Sequence, residues 1–156
     1  MVELLFFAYR DFTGEPDAIL RDLGFGRAHH RVLHFVNRNP GLRVADLLEI
    51  LRITKQSLAR VLKQLVAEGY VAQERPASDR RERRLHLTPK GADLANRLLA
   101  MQTRRISRAI GDMSPEMRLG AQRFLLAIVG DADRADVWRM ISRSPLSPGT
   151  HAREDE

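Results

Sequence analysis

Five neighbouring polar side chains have the chemistry that reads the edges of DNA bases. They are Thr54, Lys55, Gln56, Ser57 and Arg60. A guanidinium such as that of Arg60 can donate two hydrogen bonds to guanine, and an amide such as that of Gln56 can pair with adenine. Their spacing puts them in the first two turns of one helix, where side chains reach into a major groove. The sequence therefore predicts a DNA-reading surface at this point, with a solvated helix face as the alternative.

Three histidines, His29, His30 and His34, form a second candidate site. His30 and His34 lie four residues apart, so on a helix their imidazoles share one face. A metal site would need a third ligand, and neither an H-E-x-x-H motif nor a nearby carboxylate pattern supplies one. We therefore expect no metal and no cofactor. A site for an effector or for protons at His30 and His34, and a packed or solvated pair, both stay open.

The positive charge of the chain is concentrated in one segment. The net charge is +6 over 156 residues, and residues 52–90 hold ten basic and four acidic side chains, so the whole excess lies there. A concentrated positive segment is typical of a surface that contacts phosphates.

Several classes of protein are excluded or disfavoured. The chain has no cysteine, which excludes disulfides, thiolate metal sites and cysteine nucleophiles. It has no Gly-rich phosphate loop, no G-x-S-x-G motif and no paired-carboxylate signature, so we expect no enzyme activity. No apolar run approaches the roughly 20 residues that span a bilayer, so we expect a cytoplasmic protein without a membrane partner.

The elements that position the DNA-reading residues follow from the spacing of apolar side chains. Residues 44–51 and 58–66 repeat apolar positions every three or four residues, which predicts two helices joined by a short turn. Thr54 is the predicted N-cap of the second helix, and Gly69 suits its C-terminal end. Alternating residues after Gly69 and a return strand at 83–87 predict a β-hairpin.

Further helices are predicted on both sides of this unit. One covers about residues 27–38, a long one runs from Pro89 to about residue 110, and another begins at Pro115. The apolar residues at 4–9 predict an opening helix that ends before Gly14-Glu15-Pro16. The predicted fold class is mainly α with one small β-hairpin.

This order of elements and one motif resemble the MarR family of bacterial winged-helix regulators. Residues 78–91, S-D-R-R-E-R-R-L-H-L-T-P-K-G, are similar to the family's wing signature D-x-R-x-x-R followed by L-T-x-x-G. Residues 53–71 are similar to its recognition helix. The resemblance covers about residues 4–141 and implies a winged helix-turn-helix with helical dimerisation arms, in which the hairpin is the wing.

The resemblance also implies a domain organisation. A MarR-type regulator would occupy residues 1–142, with residues 27–91 as the winged-helix DNA-binding lobe. Residues 1–26 and 92–142 would form the helical dimerisation region. Residues 143–156, where Ser, Pro, Gly and charged residues dominate, are predicted to be a disordered tail.

The function implied by the resemblance is that of a homodimeric transcriptional regulator. Such a dimer binds a pseudo-palindromic operator in double-stranded DNA, typically represses genes, and often releases the operator when a small-molecule effector binds. The alternative is a non-specific DNA-architectural protein without an effector, which would show the same salt-sensitive affinity but little preference among sequences.

The family pattern implies roles for the wing residues. Asp79 would orient one of the two matched arginines, Arg81 and Arg84, by charge-assisted hydrogen bonds. The other arginine would enter the minor groove, whose negative potential attracts a weakly hydrated guanidinium. The side chains expected to contact the DNA backbone are Lys63, Gln64, Arg80 and Arg83.

Overall fold

The structure is a computed structural model that describes residues 1–76 and 82–142. Within these ranges the chain forms helices α1 Val2–Asp22, α2 Arg27–Arg38, α3 Val44–Leu51, α4 Lys55–Ala67, α5 Pro89–Ile110, α6 Pro115–Ile128 and α7 Asp131–Ser142. The strands are β1 Leu42–Arg43, β2 Val71–Glu74 and β3 Arg84–Leu87. The predicted fold class, mainly α with a small β-hairpin, is confirmed. The tail predicted at 143–156 lies outside the described residues.

The chain forms two compact units that divide between Gly111 and Asp112. The first unit contains α1 to α5 and the sheet, and the described part of the second contains α6 and α7. Leucines from α1 to α5 and from β3 fill the core of the first unit, and those with almost no exposed surface are Leu20, Leu33, Leu47, Leu58, Leu65, Leu85 and Leu98. The helix-turn-helix and the hairpin therefore share one hydrophobic core.

The turn between α3 and α4 is fixed at both ends. Arg52 ends α3 in the left-handed region at φ 50°, and Arg31 of α2 donates a hydrogen bond from Nη2 to the carbonyl oxygen of Leu51 at 2.9 Å. The Oγ1 of Thr54 accepts a hydrogen bond from the backbone N–H of Ser57 at 3.1 Å, as an N-cap does. The predicted N-cap is confirmed. Gly69 follows α4 with φ +75°, a conformation that glycine adopts without strain.

The three strands form an antiparallel sheet in the order β1-β3-β2. The hairpin predicted from the alternation is confirmed, with Val71 opposite Leu87 and Glu74 opposite Arg84. Strand β1 adds Leu42 opposite Leu85 on the other edge of β3. The sequence did not predict β1, because two residues are too few to show a periodicity.

The predicted end of the first helix before Gly14 is wrong. Helix α1 continues through Pro16 to Asp22, and Thr13, Pro16 and Leu20 are its buried residues. A proline inside a helix removes only one backbone donor and strains one turn. Packing of α1 against α2 and α5 buries the following turns and offsets that cost.

The second unit has two helices with apolar residues on their surfaces. Ser114 caps α6, because its Oγ accepts a hydrogen bond from the backbone N–H of Met117 at 3.3 Å. Arg134 of α7 donates to the carbonyl oxygens of Leu126 and Val129 at the end of α6, at 3.2 and 3.0 Å. Neither α6 nor α7 contains a buried residue. The large apolar side chains that they expose are Met117, Leu119, Phe124, Leu125, Ile128, Trp138 and Ile141.

Candidate nucleic-acid interface

Helix α4 presents an uninterrupted polar face opposite its core face. Leu58, Val61, Leu62 and Leu65 point into the core, which leaves the i, i+4, i+7 series Gln56, Arg60 and Lys63 exposed on the other side. The predicted major-groove residues Thr54, Lys55, Gln56, Ser57 and Arg60 are all exposed. No acidic residue occurs within α4. The structure therefore brings these residues together at the N-terminal end of one helix.

Two of these residues also interact with each other. The Oγ1 of Thr54 donates a hydrogen bond to the Oγ of Ser57 at 2.9 Å, while it accepts from the Ser57 backbone. The hydroxyl proton of Ser57 is then free to be donated outward. Thr54 acts mainly on the shape of the helix start, and Ser57 presents the outward-facing donor.

A groove of about 560 Å³ separates α4 from the sheet. Its floor is apolar, with Leu58 and Leu62 among the residues that line it, and Lys55, Lys63 and Arg83 contribute cationic side chains. Within the described residues none of these three cations has a carboxylate partner. Unpaired cations on the two sides of one groove are suited to a phosphate chain that runs between them.

The sheet fixes the backbone of Arg83, which is the cationic residue on the wing side of the groove. The backbone N–H of Val44, the first residue of α3, donates to the carbonyl oxygen of Arg83 at 3.1 Å. This hydrogen bond extends the β1–β3 ladder by one position and fixes the backbone of Arg83 next to α3. The wing therefore approaches the helix-turn-helix at a defined distance.

In the described part of the wing, Arg84 pairs with Glu82, while the predicted pairing of Asp79 with Arg81 or Arg84 stays a prediction. Arg84 donates from Nε to Oε1 of Glu82 at 2.6 Å, and its side chain stays about half exposed. Asp79, Arg80 and Arg81, the other wing residues of the prediction, lie outside the described residues. Sequence reasoning missed Glu82, although residues two apart on an extended strand share a face and Glu82 stands two before Arg84.

Gln64, a predicted backbone contact, uses its side-chain amide within the protein. Its Nε2 donates to Oε1 of Glu68 at 2.9 Å and to the carbonyl oxygen of Gly24 at 3.4 Å. Its Oε1 lies 3.0 Å from Nε2 of His29. These contacts tie the second half of α4 to the start of α2.

The end of the wing motif fastens the hairpin to α5. The Oγ1 of Thr88 donates to the carbonyl oxygen of Gly69 at 2.6 Å and accepts from the backbone N–H of Gly91 at 3.1 Å. A Cβ atom on Gly91 would lie 1.9 Å from the carbonyl oxygen of Tyr70. The glycine is therefore required by a close approach of two backbones.

His30 and His34 lie on α2 in surroundings that keep them neutral. Burial lowers the pKa of His30, although the nearby carboxylate of Asp17 opposes that shift. Burial, together with the charge of Arg38, lowers the pKa of His34 to about 4. Asp17 accepts a hydrogen bond from Nε of Arg27 at 2.9 Å on one oxygen, while its buried Oδ1 has no partner among the described residues.

The described residues contain neither a cluster of metal ligands nor a membrane-spanning helix. No three His, Asp or Glu side chains in residues 1–76 and 82–142 lie close enough together to hold a metal ion. Across the same residues, no helix has both the length and the apolar character needed to cross a bilayer.

Known proteins share this fold. The chain superposes on Streptococcus pneumoniae FabT, solved in complex with DNA, with a TM-score of 0.70 and 18% identity over 90% of this chain and 94% of that one. A MarR transcriptional regulator from Methanosarcina mazei Go1 superposes with a TM-score of 0.64 and 25% identity, over 79% of this chain and 88% of that one. The winged helix-turn-helix arrangement is thus confirmed.

Sequence comparison identifies the family. Residues 23–82 match the model of the MarR family. The HTH-type transcriptional regulator PetP of Rhodobacter capsulatus is 46% identical over 133 residues, which cover 85% of this chain and 80% of PetP. With a relative of this similarity along most of its length, and with the wing and recognition helix in place, the chain belongs to the MarR family of transcriptional regulators.

Proposed function

We propose that the chain is a homodimeric, sequence-specific DNA-binding repressor whose operator affinity is changed by a small-molecule effector. The observation that carries the proposal is the exposed face of α4 together with the groove beside it. Gln56 and Arg60 offer amide and guanidinium donors. Lys55, Lys63 and Arg83, which have no carboxylate partner in the described part of the chain, line the adjacent groove. A surface with base-reading groups in the centre and phosphate-binding groups beside them is what specific recognition needs.

In this proposal the residues divide by role. Lys55, Gln56, Ser57 and Arg60 read base edges in the major groove, and Thr54 shapes the start of the helix. Lys63, Arg80 and Arg83 neutralise phosphates, and Arg81 enters the minor groove with Asp79 beside it. Arg84 is held by Glu82 and supports the wing. Gln64 acts on the position of α4 rather than on the DNA backbone, because its amide is already hydrogen-bonded.

The dimer part of the proposal is supported by unpartnered apolar surface. At the start of α1, Leu4, Phe6 and Phe7 are 67%, 70% and 55% exposed, and α6 and α7 bury no residue. Apolar surface of this extent is rare on monomers and typical of subunit interfaces. A second copy of the chain would bury the apolar residues at the start of α1 and those on α6 and α7. It would also align two recognition helices with a pseudo-palindromic operator.

The effector part of the proposal places the ligand near His30 and His34. The support is the buried Oδ1 of Asp17, which lacks a hydrogen-bond partner among the described residues, next to the neutral imidazole of His30. A molecule with both a donor and an apolar body would satisfy such a site. Binding there would act on α1 and α2, which pack against each other in the first unit.

The experiment that tests the function is DNA binding across a salt series. The purified chain is mixed with a duplex from upstream of its own gene and with a shuffled duplex of the same composition. Binding at least about 10³-fold tighter to the first duplex, at about 0.15 M salt, is expected for a specific regulator. If genome-fragment selection also recovers no preferred duplex, and all duplexes bind equally with a steep salt dependence, the chain is an architectural protein.

Arg81→Ala tests the role of the wing. We expect the variant to lose about 1 to 3 kcal/mol of operator-binding free energy while it remains a dimer. Arg75, a second exposed base of the hairpin segment, gives a matched comparison as Arg75→Ala. Operator affinity equal to that of the wild type would show that Arg81 does not contact DNA.

A further inference from the structure

His29 makes two hydrogen bonds, one at the start of its own helix and one to α4. Its Nδ1 accepts from the backbone N–H of Gly26, the N-cap of α2, at 3.1 Å. Its Nε2 lies 3.0 Å from Oε1 of Gln64 on α4. The first contact has the geometry of a capping box, with histidine in the place that Glu or Gln normally takes. The second joins α2 to the helix that is proposed to read the operator.

The partners determine the protonation state of the ring. The carbonyl oxygen of Gly24 and the carboxylate of Glu68 can only accept, so the amide nitrogen of Gln64 must face them. The Oε1 of Gln64 then faces His29 and needs a donor, which is the Nε2–H. Because Nδ1 accepts from Gly26, it carries no proton. Both contacts are therefore satisfied only by the neutral imidazole with its proton on Nε2.

Aromatic contacts extend the connection to the base of the wing. The ring of His29 stacks on Phe25, with centroids 4.8 Å apart and planes 12° apart. Phe25 meets the ring of Tyr70 edge-on at 5.1 Å, and Tyr70 immediately precedes β2. Movement of the imidazole would therefore disturb both α4 and the start of the hairpin.

We propose that neutral His29 is a positioning residue for DNA binding, which holds the recognition helix against α2 through Gln64. The inference rests on the proposed function and adds a residue to it. Loss of the imidazole would remove the contact with Gln64 and leave the second half of α4 with one fewer tie to the start of α2.

Two charged side chains of the described residues belong to this set of contacts. Glu68 of α4 accepts a hydrogen bond from the amide of Gln64, and Nζ of Lys90 on α5 lies 4.1 Å from the centroid of the Tyr70 ring.

The first test needs no DNA. At about pH 7.5, nitrogen-15 shifts of the imidazole are expected to show the Nε2–H form, and His29→Ala is expected to speed amide hydrogen exchange in α4 at least about threefold. Asn37→Ala is the matched control, because Asn37 also lies on α2 but donates to Asn96 of α5 at 3.0 Å. Exchange in α4 that is unchanged in His29→Ala would overturn the proposal.

The second test measures coupling through the operator affinity. His29→Ala and Gln64→Ala are each expected to weaken operator binding about three- to tenfold. The double variant is expected to bind no more weakly than the single variant with the larger loss. Additive losses would show that the two side chains act separately and would overturn the proposal. The pair Asn37→Ala and Asn96→Ala is expected to leave the affinity unchanged.

A conservative variant separates positioning from simple packing. His29→Phe keeps an aromatic ring that can stack on Phe25 but offers no hydrogen bond to Gly26 or to Gln64. It is therefore expected to weaken operator binding as much as His29→Ala does. Wild-type affinity in His29→Phe would show that the ring acts by packing alone and would contradict the proposal. If even the wild type binds no preferred duplex, only the proposed function fails, since hydrogen exchange still decides whether His29 holds α4.

Discussion

At the scale of single residues, the role of an arginine depends on its neighbours. Arg43 is held by Asp46 through two hydrogen bonds of 2.8 and 2.5 Å, and this carboxylate raises its pKa. Arg84 is paired with Glu82 through one hydrogen bond, from Nε to Oε1 at 2.6 Å. Arg83 lines the groove beside α4 without a carboxylate partner among the described residues. The adjacent residues Arg83 and Arg84 therefore have different surroundings, and we propose that Arg84 is structural and that Arg83 contacts phosphate.

Arg83→Gln tests this difference. The variant is expected to weaken binding to operator and shuffled DNA by the same factor. The slope of log binding constant against log salt concentration is expected to become less steep by about 0.9, the value for one phosphate. Arg97→Gln, an equal change of charge at an exposed site on α5, is expected to change neither quantity. A loss confined to the operator would instead indicate that Arg83 reads a base.

His34 makes stability depend on pH. Its pKa of about 4 in the folded chain is below the ordinary histidine value of about 6.5, so between these values the unfolded chain binds more protons. Acidification through this window therefore destabilises the fold. His34→Gln is expected to reduce the loss of unfolding free energy between about pH 7 and about pH 5 by about 2 kcal/mol, as measured by urea unfolding. An equal loss in both proteins would contradict the burial of His34.

At the scale of elements, the wing depends on how α5 begins. Thr88 caps α5, hydrogen-bonds to the end of the α4 segment at Gly69, and donates its backbone N–H to the carbonyl oxygen of Tyr70 at 3.1 Å. Gly91 allows this approach because it has no Cβ. The T-x-x-G part of the wing motif thus connects the end of α4, the hairpin and the start of α5.

Gly91→Ala is expected to disrupt the close contact between the start of α5 and the backbone of Tyr70. The added Cβ would lie 1.9 Å from the carbonyl oxygen of Tyr70, so α5 or the hairpin must shift, at a cost of about 1 to 3 kcal/mol of unfolding free energy. Gly120→Ala on α6 is the control, since no atom lies within 4 Å of its added Cβ and alanine favours a helix. Equal melting temperatures of Gly91→Ala and the wild type would contradict the close contact.

At the scale of the whole molecule, the proposed dimer would bury surface that a single chain leaves in water. The large apolar residues exposed at the start of α1 are Val2, Leu4, Leu5, Phe6, Phe7 and Tyr9. Full burial of one large apolar side chain contributes about 1.5 to 3 kcal/mol. The dimer and the fold of these segments would therefore be stabilised by the same residues.

Phe6→Ser is expected to weaken the dimer. A homodimer loses two phenyl rings, one from each chain, which corresponds to about a 10²- to 10⁴-fold rise in the dimer dissociation constant, measured by sedimentation equilibrium. The first unit should keep its fold, because Phe6 is 70% exposed and outside its core. Ala18→Ser, at another exposed position of α1, should have no effect. An unchanged dimer in Phe6→Ser would exclude this end of α1 from the interface.

The sequence by itself determined the elements whose signals are local. Apolar spacing, the Thr54 cap and the Thr88-Pro89 start predicted α2 to α5 and the hairpin, because helix periodicity and end signals act over a few residues. The exposed face of α4 was predictable for the same reason. The wing motif by itself indicated the family, since its charged residues and its T-x-x-G spacing occur together.

Only the tertiary structure decided what depends on contacts between distant residues. In the structure α1 continues through Pro16, β1 pairs with β3, and Arg84 forms an ion pair with Glu82. The side chain of Gln64 also contacts that of His29, which lies 35 positions earlier in the chain. Packing and hydrogen bonds across the core outweigh local propensity at these points, because burial of one turn or one polar pair contributes as much free energy as a local signal.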